Sequence, residues 1–449
     1  MNDKFIDRMI RAVTQGDDIR PVGRVIDATA QTVQVAIAGD KSRIGDRAKI
    51  HSVKGPISGE IVRLGETGAQ VMIDGAGEGA AIGDRVVLDG SAAFAPDASW
   101  VGRVIDPDGK PLDGRPLLPG IASHQRQRPP PPPNDRRAMG ERLETGFAVF
   151  NTVLPIVRGQ RIGLFAGSGV GKSTLIADLA RNVTADVVVI GLVGERGREL
   201  RHFVQEVLGP KGLKRAVVVA ATSDSSPRER RNCAWSAVAV AEYFRDQGLH
   251  VLLLLDSVTR FCEAHREIAV AAGEAASLRG FPATTGPAIA ALCERAGPGV
   301  EHVGDITAVF SVLVAGSDMD EPVADMLRGV LDGHIVLDRE IAERGRFPAV
   351  DVLRSVSRSL PEAANTQENA LITQARTHLG TYDRAEMMIQ AGLYTQGSDP
   401  AIDAAIACKN ALDSFLALQD QRGTLAHFAK LRQAVSPTST EMQRDENAN

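Results

Sequence analysis

What this sequence has little of excludes several classes of protein. Its 449 residues contain four widely separated cysteines and no C-x-x-C pair: Cys233, Cys262, Cys293 and Cys408. This argues against a disulfide framework or a zinc site and is typical of a reducing compartment. Long hydrophobic runs are also missing, because stretches such as residues 251–255 and 288–293 are far too short to cross a bilayer. The amino terminus has no apolar core of the signal-peptide type, so we expect a cytosolic protein.

Basic charge and aromatic side chains are scarce as well. The net charge is −5, so the chain lacks the positive field of a general nucleic-acid binder. Residues 20–120 contain only Phe94 and Trp100 as aromatics, whereas a single-strand binding platform needs several stacking side chains. We therefore expect no nucleic-acid partner. The length allows two or three domains with a full-sized core.

A glycine-rich segment between an apolar run and a helical pattern is the strongest local signal. Residues 161–164 resemble a strand, residues 175–180 a helix, and the turn between them ends in Gly-Lys-Ser-Thr. The segment departs from the P-loop consensus at Ala166. Its predicted phosphate-binding residues are Gly167, Ser168, Gly169, Val170, Gly171, Lys172, Ser173 and Thr174. Backbone N–H groups and a helix amino terminus stabilise phosphate there, with Lys172 on the β- and γ-phosphates and Ser173 on Mg²⁺. The segment predicts a site for a nucleoside triphosphate.

Two carboxylates complete the pattern expected for hydrolysis. Asp256 ends the apolar run 251–255, and a buried parallel strand delivers such a residue to the sheet edge beside the P-loop, where it can bind Mg²⁺. Glu195 follows another buried run, between glycines at 194 and 197. At that edge a carboxylate can orient the water that attacks the γ-phosphate.

The pattern changes several times along the chain. Short alternating runs broken by glycine predict a small β-barrel domain over residues 21–120, including a strand at 101–106. Residues 121–144 form a linker rich in proline and arginine, and residues 145–362 alternate strand and helix as in a mainly parallel sheet. Residues 363–436 are predicted to form a helical domain, and residues 437–449 a disordered tail.

Two of these segments allow alternative interpretations. Residues 1–20 include apolar positions at helical spacing over 4–14, which predicts a helix that either packs on its own domain or docks a partner. The five prolines at 129–133 are typical of a stiff polyproline II connector, or of a docking site for a proline-reading domain.

Many ordered motifs resemble the rotary and type III secretion ATPases. They include Gly194–Glu199, Asp256–Phe261, Glu294–Gly297, Glu321–Asp325, Leu331–Leu337, Phe347–Leu353 and Ser355–Arg358. The loop segment 159–173 is most similar to that of the export branch, and the closest resemblance is to the flagellar export ATPases. The resemblance covers about residues 20–420. It implies an α/β RecA-like P-loop NTPase core with an N-terminal small β-barrel and a C-terminal helical domain.

The resemblance also implies roles for individual residues in the hydrolysis of ATP. Lys172 and Ser173 would hold phosphates and Mg²⁺, Asp256 would support the metal, and Glu195 would activate water. Further residues match family positions: Arg196 and Arg260 near the γ-phosphate, Phe347 stacked on adenine, and Arg358 as an arginine finger that reaches the neighbouring subunit's site.

Partners are implied in the same way. Because the chain carries both Glu195 and Arg358, identical copies could complete each other's sites in a homohexamer. The resemblance further implies a stator-like regulatory protein at the N-terminal helix, a central stalk protein in the ring pore, export-gate membrane proteins and substrate–chaperone complexes. It places the protein in the cytoplasm, peripheral at the inner face of the membrane by the export apparatus.

Four other functions compete with a flagellar export motor. The virulence-type secretion ATPases share nearly every motif. An F-type catalytic subunit is disfavoured because the chain lacks the acidic loop expected in the C-terminal domain. A nucleic-acid translocase of the transcription-termination kind is disfavoured by the charge and the few aromatics. A non-catalytic nucleotide-binding ring would be expected to lack Glu195 or Asp256.

Overall fold

A closed barrel, an eight-stranded sheet and a group of helices follow one another along the chain. The computed structural model describes residues 20–37, 42–75, 79–90, 94–277, 280–314 and 319–436. The helix predicted over residues 4–14 and the tail predicted from 437 lie outside these ranges.

Six antiparallel strands close the barrel in the order β1-β2-β5-β4-β3-β6. Successive residues alternate between the inside and the outside, as the alternating pattern predicts, so that Val33 and Val35 are buried between neighbours that are not. The strands are β1 Val22–Ala28, β2 Thr32–Ile37, β3 Arg47–Ser52, β4 Gly55–Gly65, β5 Gly68–Ile73 and β6 Arg85–Gly90. The predicted barrel is confirmed.

The barrel ends earlier than the predicted boundary at residue 120. The strand expected at 101–106 is present as β7 (Arg103–Ile105), but it pairs in parallel with β10 of the central sheet. Phe94 and Trp100 lie in the same core cluster as Ile105. The expectation that this strand belongs to the barrel is therefore wrong. A short apolar strand has the same sequence pattern on either sheet, and only its packing decides which one it joins.

The central sheet has the strand order β16-β15-β8-β14-β11-β9-β10-β7. All its neighbouring pairs are parallel except β15 and β16. Its remaining strands are β8 Arg161–Ala166, β9 Val187–Glu195, β10 Ala216–Thr222, β11 Val251–Asp256, β14 Ile306–Leu313, β15 Gly333–Leu337 and β16 Val350–Ser357. A separate hairpin pairs β12 Ala276–Ser277 with β13 Phe281–Pro282. The carboxyl ends of the parallel strands share one edge, where ligands bind in such sheets.

Helices cover the sheet and form the last part of the chain. They are α1 Ala148–Asn151, α2 Lys172–Asn182, α3 Gly197–His202, a π-helical turn Phe203–Leu208, α4 Gly209–Leu213, α5 Pro227–Arg245, α6 Val258–Ala271, α7 Thr285–Cys293, α8 Pro322–Val330, α9 Arg339–Glu343, α10 Thr366–Gln390, α11 Pro400–Leu416 and α12 Gly423–Val435. Capping boxes begin two long ones, with Ser226 and Glu229 before α5 and Asn365 and Glu368 before α10. None of the described helices has the length and apolar character that crossing a membrane requires.

The helices α10 to α12 are joined to the nucleotide-binding part through buried polar contacts. His427, whose side chain is fully buried, lies 3.1 Å from the Asn151 amide and 2.9 Å from the Asp420 carboxylate. Phe147 and Gln419 form an isolated β-bridge beside them. The loop between α11 and α12 is therefore held against residues 147–151, close to the turn that follows β8.

Arginines fasten the proline-rich segment to the core. Arg128 pairs with the buried Glu242 at 2.9 Å, and Arg137 pairs with Asp305 at 2.6 Å. Arg136 donates to the carbonyl of Ala296 at 3.1 Å. Residues 121–144 thus lie along the opposite side of the core from the carboxyl edge of the sheet.

The barrel meets the core at a buried arginine. Arg228, at the start of α5, has 2% of its side chain exposed and pairs with Asp74 of the barrel at 2.7 Å and with Asp108 at 3.4 Å. Arg47 adds a second contact to Asp74 at 3.0 Å. Burial of two carboxylates is tolerated here because the guanidinium is shared between them.

Replacing Arg228 with methionine leaves Asp74 and Asp108 buried without this partner. Asp74 keeps its contact with Arg47 and Asp108 keeps its contact with Arg126, so we expect Arg228→Met to lower the free energy of unfolding by about 1 to 3 kcal/mol, measured by urea or thermal denaturation. The control is Arg339→Met, which removes an exposed arginine from a pair with Glu343 and should change stability by about 0.5 kcal/mol or less. Equal stability of the two variants would contradict a structural role for the junction.

Candidate active site

The phosphate loop connects β8 to α2. Gly169 and Gly171 adopt φ values of 80° and 85°, which side-chain-bearing residues rarely adopt, and Lys172 is the first residue of α2. Val170 is buried, whereas Ser168 is exposed to solvent. The backbone therefore turns sharply enough to direct N–H groups and the helix amino terminus at an anion, as the sequence predicts.

Lys172 meets Asp256 at the carboxyl edge of the sheet. The lysine Nζ forms an ion pair with Oδ1 of Asp256, and the two side chains are 10% and 5% exposed. The same oxygen accepts a hydrogen bond from Ser311 Oγ at 2.5 Å. The strand order explains the contact, because β14, which carries Ser311, lies between β8 and β11. The ammonium of Lys172 is thus paired with the carboxylate at the end of β11.

Glu195 ends β9 and lines the same cavity as Ser173 and Asp256, which has a volume of about 500 Å³. Burial and, to a lesser extent, the charge of Asp256 raise the pKa of Glu195 to about 7, against the lowering effect of Lys172. A carboxylate of this pKa can exchange a proton near neutral pH. It is therefore suited to act as a base toward a bound water.

The arginine that lines this cavity is Arg198, whereas the two candidate arginines, Arg196 and Arg260, are not among its lining residues and differ in their surroundings. Arg260 packs its aliphatic part on Gly194, since a Cβ there would lie 3.3 Å from the arginine Cβ, and it pairs with Glu263 at 3.0 Å. Arg196 is 81% exposed and lies 3.7 Å from Glu199. The structure therefore places Arg260 against the strand that ends in Glu195, and it leaves Arg196 largely exposed to solvent.

A second pocket lies on the other side of the phosphate loop, with a volume of about 240 Å³. Phe347 lines it and is 48% exposed, with its ring 3.3 Å from where a Cβ of Gly171 would stand. Thr174 and Gln419 line it as well. An exposed aromatic ring beside the phosphate loop offers a flat apolar surface on which a nucleobase can stack.

Arg358 lies far from these pockets of its own chain. Its backbone N–H donates to the carbonyl of Asp332 at 3.0 Å, and the N–H of Asp332 donates to the carbonyl of Arg161, the first residue of β8. The phosphate loop follows Ala166, five residues further along β8, which is about 16 Å at the rise of a strand. The exposed guanidinium donates to the carbonyl of Arg328 at 3.3 Å. Arg358 is therefore on the opposite edge of the sheet from the site.

The sequence does not predict several residues of the site, among them Arg198, which lines the larger cavity, Ser311, which donates to Asp256, and Gln419, which lines the smaller pocket. Ser311 is a polar residue between the apolar neighbours Phe310 and Val312, and the sequence shows this. Only the strand order shows that its side chain reaches Asp256. Gln419 comes from the loop between α11 and α12, and no local pattern marks it.

The protein oxygens in the larger cavity suit a hard divalent cation that shares its ligands with phosphate. Among the described residues, no group of three or more His, Cys, Asp or Glu side chains could hold a metal alone. The hydroxyl of Ser173 and the carboxylate of Asp256 line the same cavity. Mg²⁺ is commonly held by one or two such protein ligands together with substrate phosphates and water. These residues therefore fit Mg²⁺ in company with a nucleotide.

The raised pKa of Glu195 predicts how its replacement affects stability. Because the folded pKa of about 7 exceeds the ordinary value of 4.5, the wild type loses stability as pH rises from about 4.5 to about 7. Glu195→Gln removes the ionisable group, so its melting temperature should exceed that of the wild type by a margin that grows between pH 5 and pH 7.5. The control Glu340→Gln replaces a glutamate that is 79% exposed. A margin independent of pH would contradict the prediction.

Comparison with known proteins agrees with this arrangement. The family model "ATP synthase alpha/beta family, nucleotide-binding domain" matches residues 146–357. The model "T3SS EscN ATPase C-terminal domain" matches residues 364–434. The first match spans the phosphate loop and all strands of the central sheet except β7, and the second spans the terminal helices.

Relatives of nearly full length are similar over most of the chain. A flagellum-specific ATP synthase of Caulobacter vibrioides is 43% identical over 427 residues, which is 93% of this chain and 96% of the relative. A type 3 secretion system ATPase of Sinorhizobium fredii is 40% identical, with 91% and 89% of the two chains covered. The assembled ATPase EscN of enteropathogenic E. coli superimposes with a TM-score of 0.85 at 33% identity, covering 92% of this chain and 100% of EscN. The chain belongs to the ATP synthase alpha/beta family and, within it, to the flagellar and type III secretion ATPases.

Proposed function

We propose that this protein hydrolyses ATP as a homohexameric ring and thereby energises protein export through the flagellar type III secretion apparatus. The observation that carries the proposal is the cavity where Ser173, Glu195 and Asp256 meet beside Lys172. The family supports an ATP-hydrolysing enzyme, and flagellum-specific names predominate among the relatives given above and those from Treponema pallidum and Bacillus subtilis.

Nucleotide binding requires Lys172 to exchange its partner. In the structure its ammonium is paired with Asp256, whereas phosphate binding draws it toward the β- and γ-phosphates. The backbone of residues 167–171 contributes N–H donors to the same phosphates. Ser173 and Asp256 would hold Mg²⁺, which when bound neutralises phosphate charge.

Glu195 is the residue we assign to water activation. Its carboxylate lines the cavity that also contains Ser173 and Asp256, and its raised pKa gives it the proton affinity of a base that works near pH 7. In phosphoryl transfer the principal demands are that the water is in line and that the developing charge is neutralised. We assign the second task to Lys172, Arg260 and Arg196.

Arg358 serves a neighbouring copy in this proposal. The residue lies on the opposite edge of the sheet from its own phosphate loop and is exposed. A head-to-tail contact between identical chains brings this edge of one copy to the nucleotide of the next, and such heterologous contacts close into rings. The guanidinium then adds positive charge where the γ-phosphate is transferred.

The wider assembly follows from the relatives. EscN has been described both assembled and in complex with its central stalk EscO. We propose a corresponding stalk protein in the pore of this ring, a stator-like protein at the N-terminal helix, and substrate–chaperone complexes and export-gate membrane proteins as further partners. The protein would act in the cytoplasm, at the inner face of the membrane beside the export apparatus.

A mixing experiment tests whether sites are shared. Glu195→Gln and Arg358→Ala should each lower the ATPase rate of the ring by about a thousandfold or more, because one removes the base and the other the finger. A one-to-one mixture should recover activity. If subunits mix at random, about a quarter of the sites pair an intact Glu195 with an intact neighbouring Arg358.

The matched control is Arg339→Ala, which removes an arginine that is 77% exposed on α9. It should retain the wild-type rate, since it carries both functional residues. For the same reason it should restore activity when it is mixed with either inactive variant. A mixture of the two inactive variants that stays inactive, although both variants assemble, would contradict a finger supplied in trans.

The pocket lined by Phe347 predicts that binding of the nucleobase and binding of the phosphates can be weakened separately. Phe347→Ala should weaken ATP binding roughly tenfold through loss of stacking, while Phe347→Tyr should bind within about twofold of the wild type. Binding of inorganic tripolyphosphate, which uses the phosphate loop alone, should be equal in all three proteins. Calorimetry measures each value, and an equal loss for ATP and tripolyphosphate in Phe347→Ala would contradict the assignment.

A further inference from the structure

Strand β14 separates the phosphate-loop strand from the strand that ends in Asp256. It pairs with β8 on one side and with β11 on the other, and Ser311 lies near its carboxyl end. Ser311 is completely buried between Phe310 and Val312, which are also buried. A buried hydroxyl requires a hydrogen-bond partner, and here the partner belongs to the active site.

The hydroxyl of Ser311 donates to the metal-binding carboxylate. The distance from Ser311 Oγ to Asp256 Oδ1 is 2.5 Å, at the short end of the range of about 2.5 to 2.7 Å for a bond between a hydroxyl and an ionised oxygen. Lys172 contacts the same Oδ1. Once Lys172 turns to the phosphates, Ser311 is the donor to Asp256 that remains among the described residues.

The backbone around Ser311 is held on both sides. The N–H of Leu313 donates to the hydroxyl of Thr259 at 2.9 Å, and the N–H of Val314 donates to the carbonyl of Ala166 at 3.1 Å. Thr259 is in the first turn of α6, directly after Asp256, while Ala166 begins the phosphate loop. The end of β14 therefore connects the two functional segments and leaves the Ser311 side chain little freedom.

We infer that Ser311 is a positioning residue, which holds the Asp256 carboxylate in place for Mg²⁺–nucleotide after Lys172 has moved to the phosphates. The inference rests on the proposed function and adds a role for a residue that does not itself touch the nucleotide. It requires that loss of the Ser311 hydroxyl weakens nucleotide binding more in the presence of Mg²⁺ than in its absence.

The test compares three variants of the full chain. Ser311→Ala removes the donor, and Ser311→Thr keeps a hydroxyl. Ser236→Ala is the matched control, because Ser236 is also fully buried and its hydroxyl donates to the carbonyl of Pro107 at 2.6 Å, away from the site. Equilibrium binding of a fluorescent N-methylanthraniloyl ATP is measured in excess Mg²⁺ and in EDTA, and the Mg²⁺ concentration for half-maximal ATPase rate is measured alongside.

In Ser311→Ala we expect the tightening of nucleotide binding by Mg²⁺ to fall roughly tenfold, the scale of one hydrogen bond to a charged group. The Mg²⁺ requirement of the ATPase should rise by a similar factor. Binding in EDTA should stay within about twofold of the wild type, which also shows that the variant is folded. Ser311→Thr should restore both values, and Ser236→Ala should leave them unchanged.

Three outcomes would overturn the inference. Equal losses with Mg²⁺ and in EDTA would make Ser311 a structural residue only. A normal Mg²⁺ effect in Ser311→Ala, or a failure of Ser311→Thr to restore it, would show that the hydroxyl does not position Asp256. If the wild type binds no nucleotide under either condition, the proposed function itself fails, which the wild-type titration reveals before any variant is compared.

Discussion

A lysine ammonium and an aspartate carboxylate meet at the carboxyl edge of the central sheet, and most of the site is arranged around that contact. Lys172 comes from the turn after β8 and Asp256 from the end of β11, and the parallel strands bring both to one edge. Both groups are largely buried, so each depends on the other in the absence of ligand. Lys172 can pair with phosphate only if another group then interacts with the Asp256 carboxylate.

The antiparallel strand β16 places its last residues at the edge of the sheet that lies away from the phosphate loop. Because β16 runs against β15, its end returns to the edge from which β8 starts, and Arg358 is presented there. The start of the same strand, with Val350 opposite Leu337, lies at the phosphate-loop edge, near Phe347. One strand thus connects the pocket lined by Phe347 with Arg358, the residue that we propose acts on a neighbouring chain.

The sequence predicts those parts of the fold and site that depend on local order. The phosphate loop, the barrel pattern and the apolar run before Asp256 each lie within a few consecutive residues, so their geometry follows from turn, strand and helix rules. The roles of Ser311 and Gln419 depend on which strands and helices are neighbours in the fold, and the local sequence pattern does not predict those neighbours. The strand Arg103–Ile105 was assigned to the wrong sheet for the same reason, since its apolar side chains fit either surface.

The charges of the site explain why nucleotide and cation should act together. Two carboxylates, Glu195 and Asp256, face one lysine, and the resulting repulsion together with burial holds the pKa of Glu195 near 7. If ATP draws Lys172 to its phosphates, the excess of negative charge increases further, because no other cation among the described residues is paired with Asp256. In the function proposed here, positive charge then arrives with the nucleotide, as Mg²⁺, and from the neighbouring chain, as Arg358. A site whose charges balance only with ligand, metal and neighbour together is expected to hydrolyse ATP slowly in an isolated subunit and faster in a ring.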